Sequence, residues 1–277
     1  MIYVTGSEGF IASHLIIMLS ELGFNDLVFL DKKKGRHTAD LAELNKTVKA
    51  YGKPTVIFHL GASCSTSNSL AHPYADFIDN AAGTVGALEL ARVHKAKFIY
   101  TSSIKALKTA KDGSRTPYGL SKYVGDLYVK EYAAMYGVEY IINHPGTIYG
   151  FGQEGSAESG WLAWFIKCAK ENIILPVFGN GKQVRDVLYI SDYIRLLLRQ
   201  MTEFEDWKNK EYEMGGGRKN SLSILEATKL LGIKEIQLLP ERQGDIKKLV
   251  SKNRGLRGWK PTMGYKEGIL NTLEKYK

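Results

Sequence analysis

The sequence predicts an α/β protein built on a doubly wound parallel sheet. Three observations carry that expectation. Short apolar and β-branched runs recur through the first half of the 277-residue chain; each run is continuous rather than alternating; and a helix-spaced segment follows each in turn. Continuous apolar strands belong to a sheet covered on both faces, and regular strand–helix alternation covers it.

Ile2-Tyr3-Val4 is the first strand and ends in Thr5-Gly6. Phe10 to Leu22 carries apolar residues at helical spacing and stops at Gly23, a residue suited to a helix C-terminus. Leu27 to Leu30 is a second buried strand, closing on Asp31; Asp40 to Tyr51 forms the next helix, and Val56 to Leu60 a third strand. Asp76 to His94 reads as one long helix leading to the strand Phe98 to Thr101. Thr116-Pro117 opens a helix running to Gly137, with a hydroxyl at the cap and proline in the first turn. Tyr140-Ile141-Ile142 is a fifth strand. Beyond Gly150 the rhythm loosens and glycines cluster. Helices are expected around 161–170 and 191–201, and Ser221-Leu222-Ser223 caps another that runs to Leu231. Trp259-Lys260-Pro261 marks a turn in a basic tail. The expected division is a dinucleotide-binding domain over 1–150, with a returning segment near 184–205, and a smaller substrate-binding lobe over 151–277.

Composition narrows the classes. With 44% apolar and 24% charged residues the chain is a folded protein, and no apolar run approaches the roughly 18 residues of a spanning helix. Met1 to Val4 has no cationic lead, so a signal peptide is not expected. Two cysteines, Cys64 and Cys168, make no disulfide framework and point to a reducing cytoplasm; neither has metal-ligand spacing, so no metal is expected. The net charge of +9 suits acidic ligands, whether a nucleotide diphosphate, a nucleic acid or a membrane surface. No interleaved aromatic-and-basic motif supports nucleic acid.

The motif Thr5-Gly6-Ser7-Glu8-Gly9-Phe10-Ile11-Ala12 follows a strand and opens a helix, the context a dinucleotide fingerprint requires. Gly6 permits the tight turn, Gly9 lets the backbone approach a pyrophosphate, and the helix N-terminus favours its charge. Asp31, at the end of the second strand, can accept both adenosine ribose hydroxyls and argues for NAD; Lys32, Lys33 and Lys34 follow at once, so a 2′-phosphate and NADP stay open. Tyr118 and Lys122 lie four apart at a helix start and share one face. An ammonium and a nicotinamide cation nearby favour the phenolate, which makes Tyr118 a proton acceptor or donor near neutrality. Ser103, in Thr101-Ser102-Ser103 at the carboxyl edge of the fourth strand, can hydrogen-bond a reacting hydroxyl or carbonyl.

On these residues the chain resembles an extended short-chain dehydrogenase/reductase of the NAD-dependent nucleotide-sugar epimerase/dehydratase family. The matching pieces run in family order: TGSEGFIA at 5–12, Asp31, Asp40-Leu41, HLGA at 59–62, Asn80, TSS at 101–103 and YGLSK at 118–122. HPGTIYG at 144–150, GNGKQVRDVLYISD at 179–192, GGGRKNSLS at 215–223, RQGD at 242–245 and GWKP at 258–261 complete them. The resemblance implies Ser103, Tyr118 and Lys122 as the catalytic set. It implies Gly6, Gly9, Phe10, Ile11, Asp31, Lys32, Asp40, Leu41, Leu60, Gly61, Ala62, Asn80, Thr101 and Pro145 around the cofactor. Thr147, Arg185 and Arg242 would hold the substrate diphosphate, for which an arginine fork is suited; the alternative for Arg185 is a local ion pair with Asp186. Ile104 and Lys105 stand where the dehydratases carry an Asp-Glu pair, which disfavours dehydration, and decarboxylation likewise. His144 stands where arginine is common and reads as a structural residue. The implied activity is epimerisation of a nucleotide-diphosphate sugar through a transient keto-sugar, in a homodimer. The alternatives are keto-sugar reduction with NAD(P)H and a non-catalytic, nucleic-acid-binding or regulatory role suggested by the basic tail.

Overall fold

The first sheet grows outward from Ile2–Thr5 (β1), whose four residues are all buried and which pairs in parallel with a neighbour on each side. The coordinates are a computed structural model and describe residues 1–107, 116–242 and 245–276. Phe10–Glu21 (α1) leads to Leu27–Leu30 (β2), and Leu41–Tyr51 (α2) returns the chain to Val56–His59 (β3) on the opposite flank of β1. Thr66–Ala71 (α3), Pro73–Phe77 (α4) and Gly83–His94 (α5) precede Lys97–Thr101 (β4); Pro117–Tyr136 (α6) precedes Tyr140–Pro145 (β5). The strand order is β2-β1-β3-β4-β5, closed by a sixth strand, Lys210–Met214. The four pairings among β1 to β5 are parallel, so the doubly wound sheet stands as expected. The order reverses between β1 and β3. That switch point is where open α/β sheets bind ligands, at the strands' carboxyl ends.

Local chemistry fixes the helices. The Thr116 hydroxyl accepts from the Gly119 amide, Pro117 takes the first turn of α6, and Gly137 ends it in the left-handed region. Asp40 caps α2 through the Glu43 amide, and Ser65 caps α3 through that of Asn68. The core collects Tyr3, Val28, Leu30, Ile57, Phe98, Tyr100 and Ile142 from the strands with Leu44, Ala87, Leu88, Ala91 and Val129 from the helices. Truncating one of these fully buried aliphatic side chains to alanine costs about 2–5 kcal/mol. The expected single helix over 76–94 is interrupted: Ile78–Ala82 is π-helical between α4 and α5. The wider turn falls around Asn80, a fully buried residue whose side chain makes a tertiary hydrogen bond to Ser63 and whose carbonyl accepts the Thr84 hydroxyl one turn on.

The chain divides into two compact units. The first, Met1–Leu107, Thr116–His144 and Ile194–Tyr212, contains the sheet just described. The second comprises Pro145–Tyr193 and Glu213–Lys277 as far as they are described. In chain order the remaining elements are Thr147–Tyr149 (β6), Trp161–Glu171 (α7), Leu175–Phe178 (β7) and Val184–Tyr189 (β8), then Ile190–Thr202 (α8), Phe204–Trp207 (α9) and the sixth strand, β9. Ser221–Ser223 (β10), Ile224–Leu230 (α10), Ile236–Leu239 (β11), Lys248–Leu249 (β12) and Tyr265–Lys275 (α11) follow. In the second unit β8 pairs with β6, β10 and β12, and β7 pairs in parallel with β11. Of the expected Ser221-Leu222-Ser223 cap only Ser223 caps α10, through a capping box with Glu226, while all three residues pair with β8. Within the basic tail lies a helix, α11, that the sequence reading left out.

Candidate active site

At the switch point two glycines meet. Gly6, with φ of +65°, ends β1; a Cβ there would stand 2.6 Å from the Gly61 Cα, at the end of β3. Only glycine allows this approach, and it leaves a crevice edge made of bare backbone. The Gly9 cap of α1 has no side-chain hydrogen bond, so that helix keeps its first-turn donors for a ligand. Asp31, buried at the end of β2, accepts the Glu8 amide on one oxygen at 3.0 Å and the Lys33 amide on the other at 2.9 Å. Each carboxylate oxygen keeps acceptor capacity beyond that one bond. The donor-lined helix start, the glycine crevice and the carboxylate fit a dinucleotide. Of the lysines that kept a 2′-phosphate open, Lys32 is ion-paired with Asp79 at 2.5 Å and Lys34 with Glu8 at 3.9 Å. Phe10 and Ile11 occupy the first turn of α1, whereas Asp40 and Leu41 at the start of α2 are exposed.

Behind the crevice runs a chain of buried hydrogen bonds that the sequence reading missed. Thr5 Oγ1 accepts the amides of Leu60 (3.1 Å) and Gly61 (2.9 Å), so its own proton goes to His59 Nδ1 at 2.8 Å. His59 is therefore protonated on Nε2 and donates to Thr84 Oγ1 at 3.0 Å, which donates to the Asn80 carbonyl at 2.6 Å. Burial drives the His59 pKa well below its ordinary value, in keeping with a neutral ring. The Asn80 side chain clamps both the amide and the carbonyl of Ser63, just past Ala62, and donates to Asp76 and Ser121.

Tyr118, Ser103 and Lys122 come together. The Ser103 hydroxyl lies near enough to the Tyr118 phenol to favour its ionised form, and Lys122 Nζ donates to the Thr101 carbonyl at 2.8 Å while lying 4.5 Å over the Tyr100 ring. Gly125 makes that packing possible, since a Cβ there would sit 2.5 Å from the Tyr100 hydroxyl. Burial pulls Lys122 down to about 8. Burial pushes Tyr118 up: the ring is desolvated, and Cys64, Asp76 and Asp126 add negative potential. Lys105, two residues past Ser103, donates its amide to the Ser103 hydroxyl and its ammonium to Thr66 Oγ1 at 2.6 Å, 5.6 Å over the Tyr118 ring. Ile104 is buried. Neither position offers a carboxylate.

Asp126, one turn beyond Lys122, is pushed up to about 6 by burial. Among the described residues Asp126, His144 and Glu211 place potential metal-ligating atoms within 4.8 Å of one another. His144 turns Nδ1 toward Asp126 (3.8 Å) and Nε2 toward Glu211 (3.1 Å), the arrangement of an ion-pair chain rather than a cage about one ring nitrogen.

Pro145 and the three expected diphosphate residues lie in the second unit. Pro145 is buried and Thr147, which opens β6, is half-buried. Arg185 on β8 pairs with Asp245 at 2.5 Å rather than with its neighbour Asp186, which instead accepts the amides of Gly217 and Ser251. Arg242 stacks 3.6 Å over the Phe178 ring and donates to the Ala157 carbonyl. Gln243 and Gly244 of the RQGD motif lie outside the described residues.

The model of the NAD dependent epimerase/dehydratase family matches residues 2–215. A putative UDP-glucose 4-epimerase of Methanocaldococcus jannaschii is 30% identical, covering 99% of this chain and 97% of the relative. The CDP-paratose 2-epimerase of Salmonella typhi is 26% identical, covering 96% of each. The crystal structure of a Thermotoga maritima UDP-glucose 4-epimerase with UDP-glucose superposes with a TM-score of 0.90 at 27% identity, over 99% of this chain and 98% of that one.

Proposed function

The chain belongs to the NAD dependent epimerase/dehydratase family, and from that premise we propose that it is an NAD-dependent epimerase of nucleotide-diphosphate sugars. The observation that carries the reading is the buried Tyr118 phenol beside Ser103, four residues before a buried lysine. In the proposed reaction the Tyr118 oxygen takes the proton of a sugar hydroxyl and later returns it, while Ser103 hydrogen-bonds the same sugar oxygen. Held by Gly6, Gly9 and Asp31, NAD would supply the hydride acceptor and donor for that carbon, and a positive charge that favours the phenolate. Lys122 adds its own charge and is fixed by the Thr101 carbonyl. With Ile104 and Lys105 in place of carboxylates, neither position directly after Ser103 can drive elimination of water, and the keto-sugar returns to an alcohol.

The first unit is the dinucleotide-binding part in this reading, with Gly6, Gly9, Asp31, Gly61 and Asn80 shaping the cofactor site. The second is the substrate-binding part, with Thr147, Arg185 and Arg242 toward the diphosphate. Arg185 reaches a phosphate by sharing or exchanging its Asp245 partner. The protein works as a homodimer in the cytoplasm. Exposed apolar side chains on α4 and α6 (Tyr74, Phe77, Leu120, Leu127, Tyr128 and Met135) supply the helical face for a second copy, and no helix among the described residues is long and apolar enough to cross a membrane.

Mass spectrometry of the purified protein, followed by a panel of UDP-, GDP-, CDP- and dTDP-sugars, tests the activity. Co-purifying NAD and conversion of one sugar to its epimer, with no net NADH produced, is the expected result. Stoichiometric consumption of NADPH by a keto-sugar, or no turnover of any member, overturns it.

A further inference from the structure

The reaction above leaves His144 without a part, although it is fully buried beside Ser103 at the end of β5. Its Nδ1 lies 3.2 Å from the Ser103 carbonyl and 3.8 Å from Asp126 Oδ2; its Nε2 lies 3.1 Å from Glu211 Oε2. Every one of these partners is an acceptor. A neutral imidazole has a single N–H, so it would turn one lone pair against an oxygen whichever tautomer it chose. The imidazolium alone donates from both nitrogens, and a buried charge persists only when paired and hydrogen-bonded. Both conditions are met here. The preceding residue of the same strand helps to hold the same turn: the Asn143 carbonyl accepts the Ser102 amide at 2.7 Å.

We propose that His144 is a buried imidazolium that positions Ser103. It donates from Nε2 to Glu211 and from Nδ1 to the Ser103 carbonyl, and so holds the turn that aims the Ser103 hydroxyl. His144 is thus a positioning residue, and its effect on turnover rests on the role given to Ser103 above. The charged groups around it are Asp126, Lys122 and Lys130 from α6 and Glu211 from β9, with Tyr140 of β5 feeling the charge of Glu211. Lys130 takes the other oxygen of Glu211, at 2.9 Å. Glu211 is held down at about 2, the His144 hydrogen bond being the largest cause, as an ionised carboxylate against a cationic donor requires.

Two measurements test this. The ¹⁵N shifts of the His144 ring, assigned by their disappearance in His144→Arg, should show both nitrogens protonated at neutral pH; one bare ring nitrogen would overturn the proposal without reference to any substrate. Turnover is the second. Arginine donates and stays charged, so His144→Arg should retain most of the turnover. His144→Gln, which lacks the charge, should lose about tenfold or more in kcat with KM little changed. Should that variant fail to fold, Glu211→Gln replaces it at the outer end of the chain and should lower kcat in the same way. A kcat unchanged in both His144→Gln and Glu211→Gln, or one that His144→Arg does not restore, overturns the positioning role. An imidazolium in a protein that turns over no nucleotide sugar sustains the charge assignment and overturns the functional reading.

Discussion

Replacing Tyr118 with phenylalanine separates chemistry from architecture, because the two losses differ by several kcal/mol. The ring is 8% exposed and keeps all its packing in the variant. What disappears is one hydroxyl and its polar interaction with Ser103, at most about 0.5–1.5 kcal/mol net, partly offset because no phenol need then be desolvated. In a chain of this size that amounts to a Tm change within about 4 °C. If Tyr118 transfers the proton, turnover falls by about 10²–10⁴, equivalent to about 3–5 kcal/mol on the barrier. The assay follows epimer formation from the active nucleotide sugar at saturation, beside a thermal melt and a measurement of bound NAD. A variant that keeps more than about a tenth of the turnover refutes the reasoning. So does one whose activity falls only in step with its loss of NAD.

Asp31→Ala should weaken NAD more than NADP, read by fluorescence titration of both cofactors; an unchanged ratio would place the ribose contact elsewhere. Gly6→Ala puts a Cβ 2.6 Å from the Gly61 backbone at a φ of +65°, a conformation costing about 1–2 kcal/mol for alanine before any clash. It should lower the Tm and weaken NAD by about tenfold or more in calorimetry, and intact affinity would show that the crevice is not the cofactor's. The Glu211 carboxyl is held at about 2 in the folded chain, below its ordinary unfolded value, so its stabilisation is complete above the unfolded pKa and is lost as pH falls toward 2. Urea unfolding of wild type and Glu211→Gln should therefore differ near pH 6 and converge between about pH 4.5 and 2; a gap independent of pH would mean that the carboxylate is not held by charge.

What could be read in advance had local causes. Thr116, Pro117 and Gly137 announce both ends of α6, and the Gly6–Gly9 turn announces its own context, because caps and tight turns are decided within a few residues. The sixth strand, β9, was not read. Lys210-Glu211-Tyr212-Glu213-Met214 alternates charged with apolar residues, whereas β1, β3, β4 and β5 are buried almost throughout, so it lacks the pattern that marked its neighbours. The His59–Thr84–Asn80 chain and the Asp126–His144–Glu211 trio were equally hidden. Their members are separated by 18 to 67 positions where they meet across the sheet, and a solitary histidine or aspartate has no period to betray it. The upward push that burial gives Tyr118 was hidden for the same reason: helical spacing reports that a lysine is near, but desolvation depends on what the rest of the chain packs around the ring.

The buried face of α6 shows what this site costs the fold. Tyr118, Ser121, Lys122 and Asp126 follow the spacing at which a packed helix ordinarily presents leucine or alanine. Ser121 is accommodated without loss, since it bonds Asp76, Asn80 and the Tyr118 carbonyl. Lys122 and Asp126 are not: burial pulls the lysine down to about 8 and pushes the aspartate up to about 6, and both shifts mean that the charged form is less stable inside than in water. Their mutual attraction offsets only part of this, and buried pairs of opposite charge are commonly outdone by apolar residues of similar volume. An arrangement that lowers stability at two adjacent turns of one helix is not explained by packing. It is explained if a lysine that is still protonated near neutrality must stand behind a phenol that gives and takes a proton, with the aspartate helping to keep that lysine charged.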